Sequence, residues 1–284
     1  MSAQILDGKA LSKQLRAEMK VRVDALRARG VVPRLDVLVA AQDPSSLAYV
    51  NMKHKWAEAA GIIGESYHVD ETWSQDRLIE KIYQLNGNQK VHGVLIQHPL
   101  PKHLDEDEAL LALGAGKDVD GITPASLGRL VADLPGFRCA TPLGITKIID
   151  HYQIPCQGKR AVVIGRSVIL GKPMALMLLQ KHATVTIAHS RTENLAELCR
   201  EADILVAAVG RAEMVKGYWI KPGAVVIDAG YNKVEGRQGD VGDVDFESAK
   251  EVASWITPVP GGVGPMTVTS LLNNCVDAAE ATLA

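Results

Sequence analysis

The chain has 284 residues, 47% of them hydrophobic, which is enough for one large domain or two medium ones. Its 31 Lys and Arg against 33 Asp and Glu give a formal net charge of −2 without any run of like charge, so neither nucleic acid nor an anionic membrane is expected as a partner. The longest apolar runs are far shorter than a membrane span.

The N-terminal residues and the cysteines favour a cytoplasmic protein. The stretch MSAQILDGKALSK lacks the apolar segment of a secretory signal. The cysteines are scattered without a CxxC pair, which fits reduced thiols, at Cys139, Cys156, Cys199 and Cys275. The histidines show neither HExxH nor paired ligand spacing, so no metal site is predicted.

The first half of the chain alternates between helix and strand patterns. A helix is predicted from about Asp7 to Arg29, ended by Gly30. The runs RLDVLVA, ESYHV and VHGVLIQ read as strands, and helical patterns follow each of them. Over residues 34–113 this alternation predicts a parallel sheet wrapped by helices.

The helix after the first of these strands contains an unexpected lysine. Asp43 offers an N-cap, Pro44 the first helical position and Gly61 the end of the stretch AYVNMKHKWAEAAG. At about 100° per residue, Lys53 falls in the middle of the apolar arc, one turn beyond Tyr49. Either the lysine stem packs while its ammonium reaches water, or Lys53 is a working lysine.

The segment 114–142 is rich in Gly, Pro and Asp and contains one short helical pattern, SLGRLVADL. In GKDVDGITP, Asp118 and Asp120 would project to one side of an extended chain. A calcium loop is excluded because its sixth position would be Thr123 and its twelfth Arg129. Asp118 suits turn capping, whereas Asp120 could present two acceptor oxygens to adjacent N–H donors of a ligand.

A second alternating unit begins at Lys159. Its predicted strands are RAVVIG, TVTIAH, DILVAAVG, AVVIDAG and SWITPV. Helical patterns lie between the first three, which predicts a doubly wound sheet. A helix from Thr267 to Leu283 closes the chain and could pack on either domain, while GDVGDVDF, with Asp240, Asp243 and Asp245, reads as a surface turn and helix entry.

The run AVVIGRSVILGKPMALMLL reads as strand, tight turn and helix, the arrangement that holds a dinucleotide pyrophosphate. Only Gly165 and Gly171 of the G-x-G-x-x-G fingerprint are present, so any βα turn remains an alternative. The next strand ends in Ser190 and Arg191 rather than an acid, with Arg166 facing them from the first loop. A 2′-phosphate would be bound there, so NADP is favoured over NAD, although Arg191 could be merely solvated.

The run PVPGGVGPMT follows the last predicted strand, at the sheet edge where open α/β folds bind ligands. Three glycines in four residues would let a flat ligand approach the backbone closely. A plain glycine-rich turn is the alternative.

Seven stretches together resemble the bifunctional methylenetetrahydrofolate dehydrogenase/cyclohydrolases. In order and spacing they are YVNMKHK, GVLIQHPLP, KDVDG, CATPLG, VVIGRSVILGKP, TVTIAHSRT and ITPVPGGVGPMT. The resemblance extends from about Asp7 to the last helix. It implies oxidation of 5,10-methylenetetrahydrofolate by NADP⁺, then hydrolysis of the methenyl product to 10-formyltetrahydrofolate in the same cleft, in one-carbon metabolism and purine biosynthesis.

The resemblance also implies roles for individual residues. Lys53 matches an essential lysine, Tyr49 a tyrosine stacked on the folate, Gln97 a glutamine bonded to that lysine, and Asp120 the acid that holds the pterin. Further substrate contacts are implied at Pro260, Gly261 and Gly262. The implied cofactor contacts are Thr141, Gly165, Arg166, Ser167, Ser190, Arg191 and Tyr231.

The resemblance implies an α/β protein of two domains and a cytoplasmic homodimer joined through the cofactor domain. Residues 1–141 form the folate-binding catalytic domain, with the C-terminal helix 267–284 packed back on it, and residues 142–266 form a Rossmann-type NADP-binding domain. The chain departs from the family pattern at His98, where Leu is usual, and at Tyr231, where Ile is usual. A monofunctional dehydrogenase and a catalytically idle NADP-binding redox sensor are the alternative functions.

Overall fold

The computed structural model describes residues 2–40, 44–236 and 239–283, with the backbone only for residues 44–49. The α-helices are Gly8–Ala28 (α1), Pro44–Ala60 (α2), Gln75–Gly87 (α3), Glu106–Ala112 (α4), Pro124–Val131 (α5), Ala140–His151 (α6), Gly171–Gln180 (α7), Leu195–Arg200 (α8), Phe246–Lys250 (α9) and Val263–Glu280 (α10). The strands are Gln4–Ile5 (β1), Leu35–Ala40 (β2), Ser66–Val69 (β3), Gly93–Gln97 (β4), Arg160–Ile164 (β5), Thr184–Ala188 (β6), Ile204–Ala207 (β7), Val225–Asp228 (β8), Asn232–Lys233 (β9), Asp240–Val241 (β10) and Trp255–Ile256 (β11).

The chain divides into two compact units. The first unit comprises Gln14–Ala140 and Thr269–Ala284, and the second comprises Met1–Lys13 and Thr141–Val268. The chain passes between the units within α1, at the start of α6 and within α10.

The first unit is built on a parallel sheet in the order β3-β2-β4, as the alternating pattern predicts. All six residues of β2 are buried, which explains why this strand reads as a continuous apolar run. Helix α3 begins at an N-cap, Ser74, whose side chain accepts from the Arg77 N–H, and α3 buries Leu78, Ile82 and Leu85 on one face. The helical period of the sequence therefore corresponds to a real buried face.

The C-terminal helix packs on the first unit, as expected. The Asn274 Nδ2 atom donates to the carbonyl oxygens of Val119 and Arg138, at 2.8 and 3.1 Å. Arg22 of α1 pairs with Asp277 and Glu280 of α10. The helix begins at Val263, earlier than the predicted Thr267. Pro265 lies in its first turn, where a proline removes no intrahelical hydrogen bond, so the helix can start before it.

The second unit contains a parallel sheet of six strands in the order β1-β11-β8-β7-β5-β6. From β5 the chain moves outward to β6 and then returns to the other side of β5 with β7, which confirms the doubly wound prediction. The carboxyl ends of β5 and β7 therefore form the switch point at which such sheets bind nucleotides.

The N-terminal strand differs from the expectation that residues 1–141 form one body. In the structure β1 pairs with β11, with Gln4 opposite Trp255 and Ile5 opposite Ile256. A two-residue strand carries too little periodicity for sequence patterns to place it.

The run GDVGDVDF is only partly a surface turn. Asp245 caps α9 as expected, but Asp243 is fully buried. Its carboxylate accepts hydrogen bonds from the backbone N–H groups of Val209, Gly210 and Arg211, at 2.6–3.0 Å. The prediction of a surface turn was wrong for Asp243, because a carboxylate saturated by backbone donors can be buried at modest cost.

Within the described residues, every helix falls short of the length and apolar character that a bilayer crossing requires.

Candidate active site

Helix α2 carries Lys53 on its buried face. Val50, Lys53 and Ala57 are only 2%, 5% and 3% exposed, whereas Lys55 and Glu58 lie on the exposed face. The polar and apolar arcs read from the sequence are thus real, and Lys53 belongs to the apolar arc. Its amine is not held in bulk water, as a lysine at the protein surface would be.

The Lys53 amine donates a hydrogen bond to the side chain of Gln97. The Lys53 Nζ and Gln97 Oε1 atoms are 2.8 Å apart, and Gln97 is the last residue of β4. The Gln97 Nε2 atom donates in turn to the backbone oxygen of His98 at 3.0 Å. Because an ammonium only donates and a carbonyl only accepts, these two bonds fix which end of the amide faces the lysine.

Burial and a neighbouring carboxylate shift the pKa of Lys53 in opposite directions. Burial lowers the pKa of Lys53 to about 8, and the Asp120 carboxylate partly opposes that change. Burial raises the pKa of Asp120, while the positive charge of Lys53 opposes the rise. An amine with a pKa near 8 can gain and lose protons at neutral pH, which a lysine in water does poorly.

Asp118 and Asp120 take different roles. Asp118 is fully buried and accepts from the backbone N–H groups of Gly121, Ile122 and Thr123, which confirms that it caps a turn. A parallel bridge between Asp118 and Val94 places this segment beside β4. The expected extended segment is a turn after residue 118, because Asp118 bonds the amides that follow it.

Tyr49 lies on α2, in the part of the helix described by its backbone only, so the position of its ring lies outside the described residues. Of the residues predicted for catalysis, the structure brings together Lys53, Gln97 and Asp120 in the first unit.

The structure adds one pair of residues to this cluster. The His98 Nδ1 atom is 2.5 Å from Glu106 Oε2, and Glu106 Oε1 accepts from the Leu100 N–H at 2.5 Å. Sequence reasoning noted His98 as a departure but missed Glu106, which looked like one acid among several at the start of α4. The glutamate is recognisable only once the turn after β4 is seen to fold back on that helix.

The turn between β5 and α7 requires both of its glycines. Gly165 has a φ of +133°, and a Cβ there would lie 2.3 Å from the Ala208 oxygen. A Cβ on Gly171 would lie 2.2 Å from the Gly165 oxygen. The loops after β5 and β7 are thus in close contact at the switch point of the sheet.

The predicted anion-binding side chains lie at the carboxyl edge of the second sheet. Arg166 and Ser167 follow β5 and are exposed, and Ser190 and Arg191 follow the adjacent parallel strand β6 and are exposed too. The Ser167 hydroxyl accepts from the Gly171 N–H at 3.3 Å, so it also caps the start of α7. No acid follows β6 before Glu193, so the residues present fit a phosphorylated ribose.

Tyr231 and Thr141 also lie in the second unit. Tyr231 follows β8, is 64% exposed, and donates to Asp240 at 2.5 Å across the β9–β10 hairpin. The Thr141 hydroxyl accepts from the Thr267 hydroxyl at 3.1 Å.

In the glycine-rich run after β11, packing within the protein requires a glycine at position 262. A Cβ on Gly262 would lie 2.7 Å from the Pro258 oxygen, and one on Gly8 would lie 1.9 Å from the Gly262 oxygen. The Gly261 oxygen accepts from the Lys9 N–H at 2.7 Å, and Gly261 has a φ of +113°. The N-terminal segment therefore packs directly on Gly261 and Gly262, a contact that the sequence did not reveal.

A doubly wound sheet with a tight βα turn, joined in one chain to an α/β unit that buries a lysine against an amide, defines a dinucleotide-dependent enzyme of two units. The chain belongs to the tetrahydrofolate dehydrogenase/cyclohydrolase family. The catalytic-domain model of that family matches residues 6–120, and its NAD(P)-binding-domain model matches residues 139–283.

Individual relatives match over the whole chain. The bifunctional protein FolD of Moorella thermoacetica is 52% identical over 280 residues, 99% of this chain and 100% of its own. The bifunctional FolD structure from Campylobacter jejuni has a TM-score of 0.97 at 41% identity, covering 99% of this chain and 100% of its own. The Trypanosoma brucei enzyme, complexed with NADP cofactor and inhibitor, has a TM-score of 0.94 at 35% identity, covering 100% and 99%.

Proposed function

We propose that the protein oxidises 5,10-methylenetetrahydrofolate to 5,10-methenyltetrahydrofolate with NADP⁺ and hydrolyses the product to 10-formyltetrahydrofolate. The observation that carries this proposal is the buried Lys53 amine, bonded to Gln97 and close to Asp120, in a member of a dehydrogenase/cyclohydrolase family. Hydride transfer alone would not require such a group, because it involves no proton shuttle.

In this proposal the first unit binds the folate. Asp120 accepts from adjacent N–H groups of the pterin with its two oxygens, and Tyr49 stacks on the folate ring. Pro260, Gly261 and Gly262 are proposed as further substrate contacts, although packing against Pro258 already requires a glycine at position 262.

The second unit holds the cofactor, which accepts the hydride when bound. Gly165, Arg166 and Ser167 position the pyrophosphate at the start of α7, where backbone N–H groups favour an anion. Ser190 and Arg191 bind the 2′-phosphate through charge-assisted hydrogen bonds, so NADP is bound in preference to NAD. Thr141 and Tyr231 contribute further contacts. Together these residues would align the reacting atoms.

The hydrolytic step uses Lys53 as the proton carrier. As the water oxygen bonds to the methenyl carbon, Lys53 takes a proton from the water. As the carbon–N5 bond breaks, Lys53 gives a proton to N5, and the hydroxyl proton of the adduct is the one released to solvent. With a pKa of about 8, a far larger fraction of the amine is neutral at pH 7 than at the ordinary value of 10.5.

Gln97 directs the neutral amine. A neutral lysine amine has two N–H donors and one lone pair, and the Gln97 oxygen takes one of the donors. The lone pair must therefore point away from Gln97. Gln97 therefore holds the amine in place with its lone pair turned away from the amide.

The two domains divide catalysis and cofactor binding between them. We assign catalysis to residues 1–141 with helix 267–284, and cofactor binding to 142–266, apart from the β1 segment noted above. A homodimer joined through the cofactor domain is supported by β6, an edge strand whose Ile187 is 41% exposed. The four free, buried cysteines fit a cytoplasmic enzyme, and its product would supply formyl groups to purine biosynthesis.

One assay distinguishes the functions. Protein is mixed with methylenetetrahydrofolate and NADP⁺, and NADPH and the methenyl chromophore are followed together. The bifunctional enzyme gives NADPH with little lasting methenyl species, a monofunctional dehydrogenase accumulates the methenyl species, and a redox sensor gives neither. The bonded Lys53–Gln97 pair favours the first result, because the second function does not need it.

A further inference from the structure

The turn after β4 is held at two points by one carboxylate. Glu106 accepts from the Leu100 N–H through one oxygen and contacts the His98 ring through the other, both at 2.5 Å. Glu106 lies in the first turn of α4, so the helix and the strand end are tied together across residues 98–100. A carboxylate using both oxygens in this way restrains the turn more strongly than one hydrogen bond would.

The same turn carries the atom that orients Gln97. The His98 backbone oxygen accepts from Gln97 Nε2, and Gln97 Oε1 accepts from Lys53. A continuous series of contacts therefore leads from the Glu106 carboxylate through His98 and Gln97 to the Lys53 amine. Rotation of the Gln97 amide by 180° would turn its N–H₂ group toward the amine, where it would donate to the lone pair and so occupy the basic side of the amine.

We propose that Glu106, through the turn it holds, is a positioning residue that fixes the Gln97 amide and so aims the Lys53 amine at water in the hydrolytic step. This inference rests on the proposed function and adds a residue to it. In this proposal Glu106 acts through His98 and Gln97 and not on the reacting atoms, so hydride transfer is expected not to depend on it.

The His98 ring is the second link in this arrangement. Its Nδ1 atom is committed to Glu106, and its Nε2 atom is buried without a hydrogen-bond partner among the described residues. The charged groups that face the ring are Glu106 on α4 and Asp120 on the following turn, with Lys53 reached through Gln97. Glu106 therefore fixes the ring beside the acid proposed to hold the pterin.

The test compares Glu106→Ala with Glu108→Ala. Glu108 lies in the same helix turn, is exposed, and loses the same charge, so it is a matched control. The methenyl hydrolysis and the NADP⁺-dependent hydride transfer are measured separately with the full-length protein. Glu106→Ala is expected to lower kcat for hydrolysis at least tenfold, with KM for the folate and kcat for hydride transfer changed less than threefold. Glu108→Ala should change none of them.

A rescue variant separates positioning from a structural role. In Glu106→Gln, the amide oxygen can still accept from Leu100 N–H and the N–H₂ group can donate to His98 Nδ1. Glu106→Gln is therefore expected to keep at least a third of the hydrolytic rate. Unchanged hydrolysis in Glu106→Ala, equal loss of both reactions, or absence of rescue by Gln would each overturn the inference.

Two further results also need a defined meaning: a Glu106→Ala variant that does not fold, and an unaltered protein without activity. If Glu106→Ala does not fold, Glu106→Asp decides, since the shorter side chain keeps the charge but does not span to both Leu100 N–H and His98 Nδ1. Hydrolysis must then fall more than hydride transfer, and rates equal to those of the unaltered chain would refute the role. If the unaltered protein catalyses neither reaction, the proposed function itself is refuted. If both reactions proceed and neither changes in Glu106→Ala, only the positioning role of Glu106 is refuted.

Discussion

Replacing Lys53 with Met tests the separation between hydride transfer and hydrolysis. The methionine side chain matches the lysine stem in length and apolar character but carries no proton. A positioned acid–base group contributes roughly 10²- to 10⁴-fold to a rate, so we expect Lys53→Met to lower methenyl hydrolysis by that range. Hydride transfer to NADP⁺ should remain measurable, and the methenyl species should accumulate.

The structure also gives the expected change in stability. The difference between 10.5 and about 8 in the pKa of Lys53 corresponds to about 3 kcal/mol against burying the charged amine. Because the unfolded chain binds this proton more tightly, the free energy of unfolding of the unaltered protein rises with pH between about 8 and 10.5. Loss of the bond to Gln97 costs about 1–2 kcal/mol. Lys53→Met should therefore be as stable at pH 7 as the unaltered protein, or more stable by up to about 2 kcal/mol.

Two assays check this prediction. Urea unfolding at pH 7 and pH 9.5 measures the stability, and the methenyl chromophore measures hydrolysis after subtraction of the uncatalysed rate. Full hydrolysis by a folded Lys53→Met variant would refute the role of the amine. A variant destabilised by several kcal/mol would contradict the claim that burying this charge opposes folding.

Two further predictions concern the second unit. Arg191→Asp should weaken NADP⁺ binding at least tenfold more than NAD⁺ binding, measured by titration beside the exposed Arg29→Asp as a control; equal losses for both cofactors would mean that Arg191 does not bind the 2′-phosphate. Gly8→Ala places a Cβ 1.9 Å from the Gly262 oxygen and should lower the free energy of unfolding by about 1–3 kcal/mol. Gly264→Ala, whose Cβ would have no atom within 4 Å beyond its chain neighbours and its own helix backbone, should change it by less than about 1 kcal/mol; equal losses of thermal stability in the two variants would contradict the packing explanation.

Sequence periodicity was sufficient for most of the fold. The burial of Val50, Lys53 and Ala57 on one face of α2 follows from the 3.6-residue repeat, and the fully apolar β2 follows from burial on both faces of a parallel sheet. The pairing of β1 with β11 was missed, because two residues of strand carry no period and their partner lies far along the chain.

In the candidate site, too, the contacts that matter depend on segments that are distant in the sequence. Lys53 was recognisable as an anomaly because a charge interrupted an apolar arc, but its bond to Gln97 depends on β2 and β4 being neighbours. Asp243 and Glu106 look like surface acids in the sequence. Each acquires its role from backbone N–H groups that only the folded loops bring to it, such as those of Val209 and Leu100.

The most direct test of the account is the pKa of the Lys53 amine itself. Lysine labelled with ¹³C at the ε carbon allows its chemical shift to be followed by NMR from pH 6 to pH 11, with Lys53→Met to assign the signal. A midpoint near 8 is expected from the burial of the amine. A midpoint of 10 or above would show an amine in bulk water, and a proton carrier at neutral pH could not then be assigned to Lys53.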